Sequence, residues 1–363
     1  MEFMYSHARL PENYKLLNDI NSAAGRLYKK LKELDITNLD ISDYSKEYLN
    51  KHLINIHGTL RKYSYILSWA LTPSTVSLNK FKIMDYGGGT GILSLLAKEL
   101  KIETVIYNDI YDISCNDAKT LGQAVGNESD YYLHGDIDDA ISFFKKNVIH
   151  INAIASYDVI EHIYDIKAFL RKLQLLSDQP LNVFLSTGAN SLNLIKKKAL
   201  MKKQVEIENT DRVKKHGYKE RDCLKAYLKV REEMITEYNK DLTNNEVKIL
   251  ARATRGMMET DIYQCIDKYL KTNEFPFEPV HPTNTCDPFT GNWAEHLMDP
   301  YYLKEVLLQT GFEVEVLGGY WSPPEKSMKS YLGIFLNIII YLFKKQGIRI
   351  APFYTIYGKK VVK

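Results

Sequence analysis

Three short apolar runs in this sequence end in an acid or a glycine cluster, and those ends carry its chemistry. The first is Ile83-Met84-Asp85-Tyr86-Gly87-Gly88-Gly89-Thr90-Gly91-Ile92, read as a strand that turns through glycines into a helix. Gly87, Gly89 and Gly91 let the backbone turn tightly and approach a ligand closely, with unpaired N–H groups at the start of the helix. That combination describes a cradle for a cofactor. Dinucleotide enzymes space their glycines as G-x-G-x-x-G, but counting from Gly87 position 92 is Ile, and no Lys-Ser or Lys-Thr follows as in a P-loop. Asp85 puts a negative charge where a pyrophosphate would be repelled and a cation favoured. Asp109 ends the second run, residues 105–109, and stands 18 residues after Gly91, placed to accept hydrogen bonds from two ribose hydroxyls. Asp136, in Gly135-Asp136-Ile137, ends the third; it can take an adenine amino group while Ile110 and Ile137 pack on the ring faces. Three strand ends thus converge on one cationic nucleoside.

These residues resemble the class I S-adenosylmethionine-dependent methyltransferase family, with residues 85–91 matching its first motif, Asp109 its ribose acid and Asp136 its adenine contact. Tyr86 and Thr90 are ordinary variations of that motif. The resemblance covers residues 79–188 and, more weakly, 299–363, where Gly311-Phe312-Glu313-Val314 looks like the entry to a closing strand pair. It implies S-adenosyl-L-methionine as cofactor, methyl transfer as the reaction and a seven-stranded sheet. S-adenosylmethionine carries an ammonium and a sulfonium and no phosphate, in keeping with Asp85. The rival reading is a glycine turn of another α/β protein, a nicotinamide-dependent enzyme or a non-catalytic nucleoside-binding subunit.

A fourth run ends in Ser156-Tyr157-Asp158-Val159-Ile160-Glu161-His162, on the lip where a transferred methyl should lie. On a helical turn Asp158, Glu161 and His162 share one face. In one reading His162 is the general base that removes a hydroxyl proton, with Glu161 beside it. In a second, Asp158, Glu161 and His162 hold Mg²⁺ or a similar hard cation, a pattern similar to that of some quinone-ring O-methyltransferases of the same family. In a third, Glu161 and His162 only hold the loop and close the methionine pocket. The expectation is no metal, with Asp158 counted among the cofactor contacts.

The acceptor side is expected from residues 189–298, a stretch rich in Lys, Glu, Leu and Met that interrupts the strand alternation and reads as inserted helices forming a lid. Arg252 and Arg255, three apart, could clamp an anion or be two solvated charges on a helix face. The loop 281–296 holds His281, Asn284, Asp287, Asn292 and Trp293, a mixture that suits a polyhydroxylated acceptor, with Trp293 stacking on a sugar face. Its other reading is a stiff connector. His296 is the second candidate base. In manner, insertion and loop resemble methyltransferases of surface-polysaccharide biosynthesis, implying O-methylation of a sugar or nucleotide-linked sugar for a capsule or similar polymer. A quinone or lipid-like acceptor is the alternative.

The elements that must position these residues alternate regularly: helix 91–100, strand 104–108, helix 114–125, strand 131–134, helix 138–146, strand 151–157, helix 165–176, strand 181–186. That pattern predicts an α/β, Rossmann-like, mostly parallel sheet with helices on both faces. Helix 299–310 and strands 312–317 and 353–361 complete it. Residues 1–78 read as a helical N-terminal extension, from apolar residues recurring at three- and four-residue steps over 44–71. The apolar run 331–343 is too short to span a bilayer. Basic residues bracket it, so it reads either as an interfacial membrane anchor or, preferably, as a buried helix or a homodimer contact.

Composition bounds the rest. In 363 residues, 45% apolar and 26% charged, neither disorder nor a fibrous chain is favoured. A net charge of +3 without a basic tail argues against nucleic acid as a partner. Cys115, Cys223, Cys265 and Cys286 form no C-x-x-C pair, so they read as reduced thiols. With no secretory signal at the start, the cytoplasm is the expected location.

Overall fold

The computed structural model describes residues 2–72, 76–213, 223–274, 283–322 and 328–360. In chain order the elements are α1 (Tyr14–Glu33), α2 (Asp43–Ile54), α3 (Ile56–Ala70), β1 (Lys82–Tyr86), α4 (Ile92–Glu99), β2 (Thr104–Asp109), α5 (Asp112–Val125), β3 (Tyr131–His134), α6 (Ile137–Asn147), β4 (Ala153–Tyr157), α7 (Ile166–Lys172) and β5 (Leu181–Thr187). They continue with α8 (Leu194–Asn209), α9 (Tyr227–Tyr238), α10 (Asn244–Ala253), α11 (Glu259–Thr272), α12 (Pro300–Leu308), β6 (Phe312–Gly318), α13 (Met328–Gly347) and β7 (Tyr354–Lys360). The seven strands form one sheet in the order β3-β2-β1-β4-β5-β7-β6. β1 to β5 pair in parallel, and β7 runs antiparallel to both β5 and β6.

Both faces of the central strands are apolar, which is why β1, β4 and β5 read as largely hydrophobic runs. Ile83, Val105, Ala153, Ala155, Phe184 and Tyr357 point into one core, shared with α1, α3 and α4. Their neighbours Met84, Ile106, Ile154, Val183, Leu185 and Ile356 point into the other, shared with α6, α7 and α12. The alternation follows from the two-residue period of a strand. The chain runs outward from β1 to β3 and then returns to lay β4 beside β1. An open parallel sheet binds ligands at such a reversal, beyond the carboxyl ends of its strands.

The apolar spacing over 44–71 resolves into two helices. Asn55 ends α2 with φ −121° and ψ 47°, and its side chain accepts from the Gly58 amide at 3.3 Å to start α3. The helix expected over 165–176 leaves α-geometry after Lys172 and finishes as a short 3₁₀ turn, Leu173–Leu175. Helices α9, α10 and α11 pack about a core of their own that includes Val230, Ile235, Leu250, Ile262 and Ile266.

The run 331–343 lies in α13, and the expectation of a buried helix is overturned. Gly333, Asn337 and Ile340 face inward, but Tyr331, Leu332, Phe335, Ile338, Leu342 and Phe343 are exposed. Among the described residues only one stripe of the helix meets the protein, beside β6 at the edge of the sheet.

Candidate functional site

The loop after β1 is shaped by close approaches that exclude side chains. Gly87 has φ +69°, and a Cβ there would fall 2.4 Å from Cγ2 of Val159. Gly91 has φ +76° and sits at the start of α4. The Gly88 amide donates to the Asn108 carbonyl at 2.8 Å, and the Tyr107 hydroxyl donates to the Gly89 carbonyl at 2.6 Å. Asp85 is turned beneath this loop and is not on the wall of the site. Its Oδ2 accepts from the Ser94 amide at 3.1 Å and the Ser94 hydroxyl at 2.7 Å. Burial pushes its pKa up to about 7. Asp85 therefore holds the loop onto α4, and direct charge pairing with a ligand, as expected from its position in the sequence, is replaced by this supporting contact.

A cavity of about 650 Å³ opens beyond β1, β2, β3 and β4, within the range of ~300–1,000 Å³ usual for small-molecule sites. Gly87 and Gly89 line it, and Asp109, Ile110, Asp136 and Ile137 stand along the same wall. Asp109 Oδ2 accepts from the Gly89 amide at 3.1 Å and Oδ1 from the Tyr111 amide at 3.0 Å. Both bonds come from backbone amides and fix the carboxylate at the cavity wall. Asp136 begins α6 with a capping box in which its Oδ1 accepts from the Asp138 amide at 2.8 Å. Asp138, Asp158 and Asp165 also face the cavity; among its described lining residues the lysine is Lys172, whose ammonium lies 2.6 Å from Asp138, with Lys62 behind Tyr157. The cavity is acidic, and it favours a cation over a phosphate.

Beyond β4 the three candidate side chains separate. Asp158 adopts φ +53°, a strained conformation for a residue with a Cβ. Two bonds hold it there: its amide donates to the Ser186 carbonyl at 2.9 Å, and its Oδ1 accepts from the Gly188 amide at 2.9 Å. Enclosure in the cleft raises its pKa, partly offset by the Lys62 ammonium. Glu161 lies behind the wall at 1% exposure, and neither carboxyl oxygen has a hydrogen-bond partner at bonding geometry. Burial first and Asp158 second hold its pKa well above the usual carboxylate range, with Thr187 only partly opposing. Glu161 is thus a buried acid behind the wall, and the expectation of a cleft-facing Glu161 is corrected. Among the described residues no three His, Cys, Asp or Glu side chains come together as a metal site, so the Asp158, Glu161, His162 cation set is not assembled. His162 does line the cavity, and its Nδ1 lies 2.8 Å from the Trp293 carbonyl. A carbonyl only accepts, so Nδ1 carries the hydrogen and Nε2 is the basic atom.

Of the expected acceptor residues, Asn292 reaches the cavity, together with Thr290 beside it. The others fasten the loop. Asn284 is buried, its Oδ1 accepting from Gln204 Nε2 at 3.0 Å and from the Leu297 amide at 3.1 Å. Asp287 is 2% exposed and accepts from the amides of Phe289 at 2.9 Å and Cys223 at 3.1 Å. Arg255 turns inward to donate to the carbonyls of Thr283 at 2.6 Å and Asn284 at 3.2 Å, while Arg252 points to solvent, so the two make no clamp. Trp293 stacks on His296 at 4.1 Å, runs parallel to Tyr164 at 5.9 Å, and donates from Nε1 to the Tyr164 carbonyl at 3.0 Å. Neither Trp293 nor His296 lines the cavity, so sugar stacking and the second base are corrected: both rings are spent on packing. His281 lies outside the described residues.

Sequence reasoning missed the contribution of the N-terminal extension. Tyr44 and Tyr48 on α2 line the cavity, and Tyr48 Cε1 lies 3.5 Å from where a Cβ on Gly89 would stand. Enclosure, then the charges of Asp158 and Asp109, raises the Tyr48 phenol, which keeps it a hydrogen-bond donor. From α3, the Lys62 ammonium sits 4.1 Å over the ring of cavity-lining Tyr157. Tyr164 also lines the wall; its hydroxyl donates to Asp261 on α11 and accepts from the Met258 amide at 3.1 Å.

No protein-family model and no curated protein sequence matches this chain. Among solved structures, it is similar to an S-adenosylmethionine-dependent methyltransferase from Mesorhizobium loti, at 12% identity over 78% of this chain and 94% of that one, with a TM-score of 0.36. A methyltransferase from Archaeoglobus fulgidus matches at 14% identity over 86% and 99%, with a TM-score of 0.36. Magnesium protoporphyrin IX methyltransferase from Synechocystis PCC 6803, with S-adenosylhomocysteine bound, matches at 12% identity over 96% and 99%, with a TM-score of 0.38. Likeness at this level carries neither substrate nor activity to the present chain.

Proposed function

We propose that this chain is an S-adenosylmethionine-dependent O-methyltransferase whose acceptor is a small uncharged polyol, a sugar in the first instance. The observation that carries the reading is the acidic, glycine-floored cavity. Gly87 and Gly89 bring backbone against the ligand, Asp109 takes the ribose, Asp136 the adenine edge, and Ile110 and Ile137 its faces. Five aspartates in the lining, against Lys172 and the nearby Lys62, suit a sulfonium and an ammonium. The same charge weighs against a nucleotide-linked sugar, whose pyrophosphate would enter among carboxylates. A role in surface-polysaccharide synthesis rests on the sequence resemblance and belongs to this proposal.

When bound, S-adenosylmethionine supplies an electrophilic methyl group. The chain's own residues align the acceptor and remove its proton. His162 Nε2 accepts that proton as the oxygen becomes methylated, and the Nδ1–H bond to Trp293 keeps the ring in the tautomer that can do so. Asn292 and Thr290 hold acceptor hydroxyls, and the insertion 189–298, whose loop carries them, serves as the lid. Much of the acceleration comes from alignment. A second reading, a lipid-like acceptor, draws support from the exposed apolar side chains of α13.

Isothermal titration with S-adenosylmethionine, S-adenosylhomocysteine and a nicotinamide dinucleotide tests the reading. Binding of both sulfur nucleosides, lost in Asp109→Ala, is expected. Binding of the dinucleotide alone would overturn it. Turnover of neutral sugars but not nucleotide-linked ones then tests the acceptor.

A further inference from the structure

Helix α13 presents an apolar face that the other described residues leave uncovered. Gly333, Asn337 and Ile340 recur at helical spacing and attach it: Asn337 accepts from the Trp321 amide at 2.8 Å and donates to the Trp321 carbonyl at 2.9 Å, and Ile340 packs on Gly318. On the other side Tyr331, Leu332, Phe335, Ile338 and Leu342 follow the same period, each between 49% and 75% exposed. Six such large side chains, with Phe343, far exceed the scatter of single apolar residues usual on a soluble surface.

The charge carried by the helix and the turn after it has one sign. Between residues 328 and 350 the sequence holds Lys329, Lys344, Lys345 and Arg349 and no Asp or Glu. Lys344, Lys345 and Arg349 are exposed at the end of the helix, where Lys344 breaks the helical path with φ +33°. Apolar side chains on one face with cations at its end form the pattern of a helix that lies in a membrane interface. Tyrosine and phenylalanine are the residues suited to that depth. Among the described residues no helix is long and apolar enough to cross a membrane, so a helix of this kind can rest on a bilayer but not span it.

We propose that the outer face of α13 docks on an anionic lipid bilayer, with Phe335, Ile338 and Leu342 entering the interface and Lys344, Lys345 and Arg349 meeting anionic headgroups. A second copy of the same face is the competing occupant; it brings no carboxylate to those cations. The inference is independent of the methyltransferase reading.

The test is co-sedimentation of the full chain with vesicles of phosphatidylglycerol and phosphatidylcholine in equal parts, beside vesicles of phosphatidylcholine alone. Sedimentation with the mixed vesicles is expected to exceed that with phosphatidylcholine by about tenfold, the scale set by a few interfacial cations. Phe335→Glu with Leu342→Glu should abolish it without shifting thermal unfolding, since both positions are exposed. Lys344→Glu with Lys345→Glu should remove the preference for anionic lipid. Equal sedimentation with both vesicles, or with neither, overturns the proposal. So does a dimer in sedimentation velocity that Phe335→Glu with Leu342→Glu dissociates.

Discussion

The Nδ1 atom of His162 lies 2.8 Å from the carbonyl oxygen of Trp293, 131 residues further along the chain. In return the Trp293 amide donates to the His162 carbonyl at 3.2 Å. The insertion therefore determines the tautomer of the one imidazole on the cavity wall among the described residues.

His162→Ala is expected to lower kcat on the order of a hundredfold or more, the usual worth of a general base. His162→Asn can still offer an N–H to the Trp293 carbonyl, so it should preserve thermal stability yet remain equally slow. Affinity for S-adenosylmethionine should change little in either variant. Near-normal turnover by His162→Ala with a true acceptor would remove the base role.

Asp85 makes stability depend on pH. In the unfolded chain it ionises near pH ~4, whereas in the fold burial holds its pKa at about 7. The folded state binds the proton more tightly, so stability is greatest below the unfolded pKa and falls as pH rises through about 7. Asp158 and Glu161 are shifted in the same direction and add to the trend. Asp85→Asn keeps an oxygen for Ser94 and cannot ionise. Urea unfolding at acidic and neutral pH should show a smaller loss of stability in the variant than in the native chain. Identical pH slopes would show that the Asp85 proton is not retained on folding.

Arg231 is fully buried and pairs with Glu208, while its Nε donates to the Ala251 carbonyl at 2.8 Å. The Thr285 hydroxyl donates to the other Glu208 oxygen at 2.7 Å. Arg231→Met leaves a buried carboxylate without its main partner and should cost about 3 kcal/mol in chemical unfolding, the low end for a broken buried pair. Adding Glu208→Gln removes the stranded charge and keeps the acceptor for Thr285, so most of the loss should return. A double variant no more stable than Arg231→Met would show that packing, not charge, was lost.

Trp293 and Asn292 are neighbours with opposite expected effects. Trp293→Phe removes the bond to the Tyr164 carbonyl and should lower stability by about 1 kcal/mol, with little change in acceptor KM. Asn292→Ala should leave stability almost unchanged and raise acceptor KM by roughly tenfold, the scale of one lost hydrogen bond to the ligand. The reverse pattern in steady-state kinetics would return the sugar-stacking role to Trp293.

Helices and strands from residue 82 to residue 187 were legible in the sequence because each obeys a local rule. Parallel strands buried on both faces are written as unbroken apolar runs, and the turns between them as glycines or acids; Gly87, Gly91 and Asp136 hold in the fold the conformations their positions suggest. Asp109 and Ile137 reach one cavity because the ends of parallel strands lie on the same edge of the sheet. No long-range contact is needed to foresee that.

What a side chain faces, by contrast, only the tertiary structure decided. Asp158, Glu161 and His162 look alike in sequence, yet one lines the cavity in a strained turn, one is buried behind its wall, and one is tied to Trp293. Trp293, Asp287 and Arg255 have the chemistry of ligand contacts, but their donors and acceptors are taken by backbone far away in the chain. Tyr48 reads as a core position of a helix until α2 folds over Gly89, and the apolar run in α13 reads as buried until β6 proves to be the sheet edge. Periodicity records which residues share a face of an element. Which partner covers that face depends on contacts between segments distant in sequence, and those are set only when the whole chain packs.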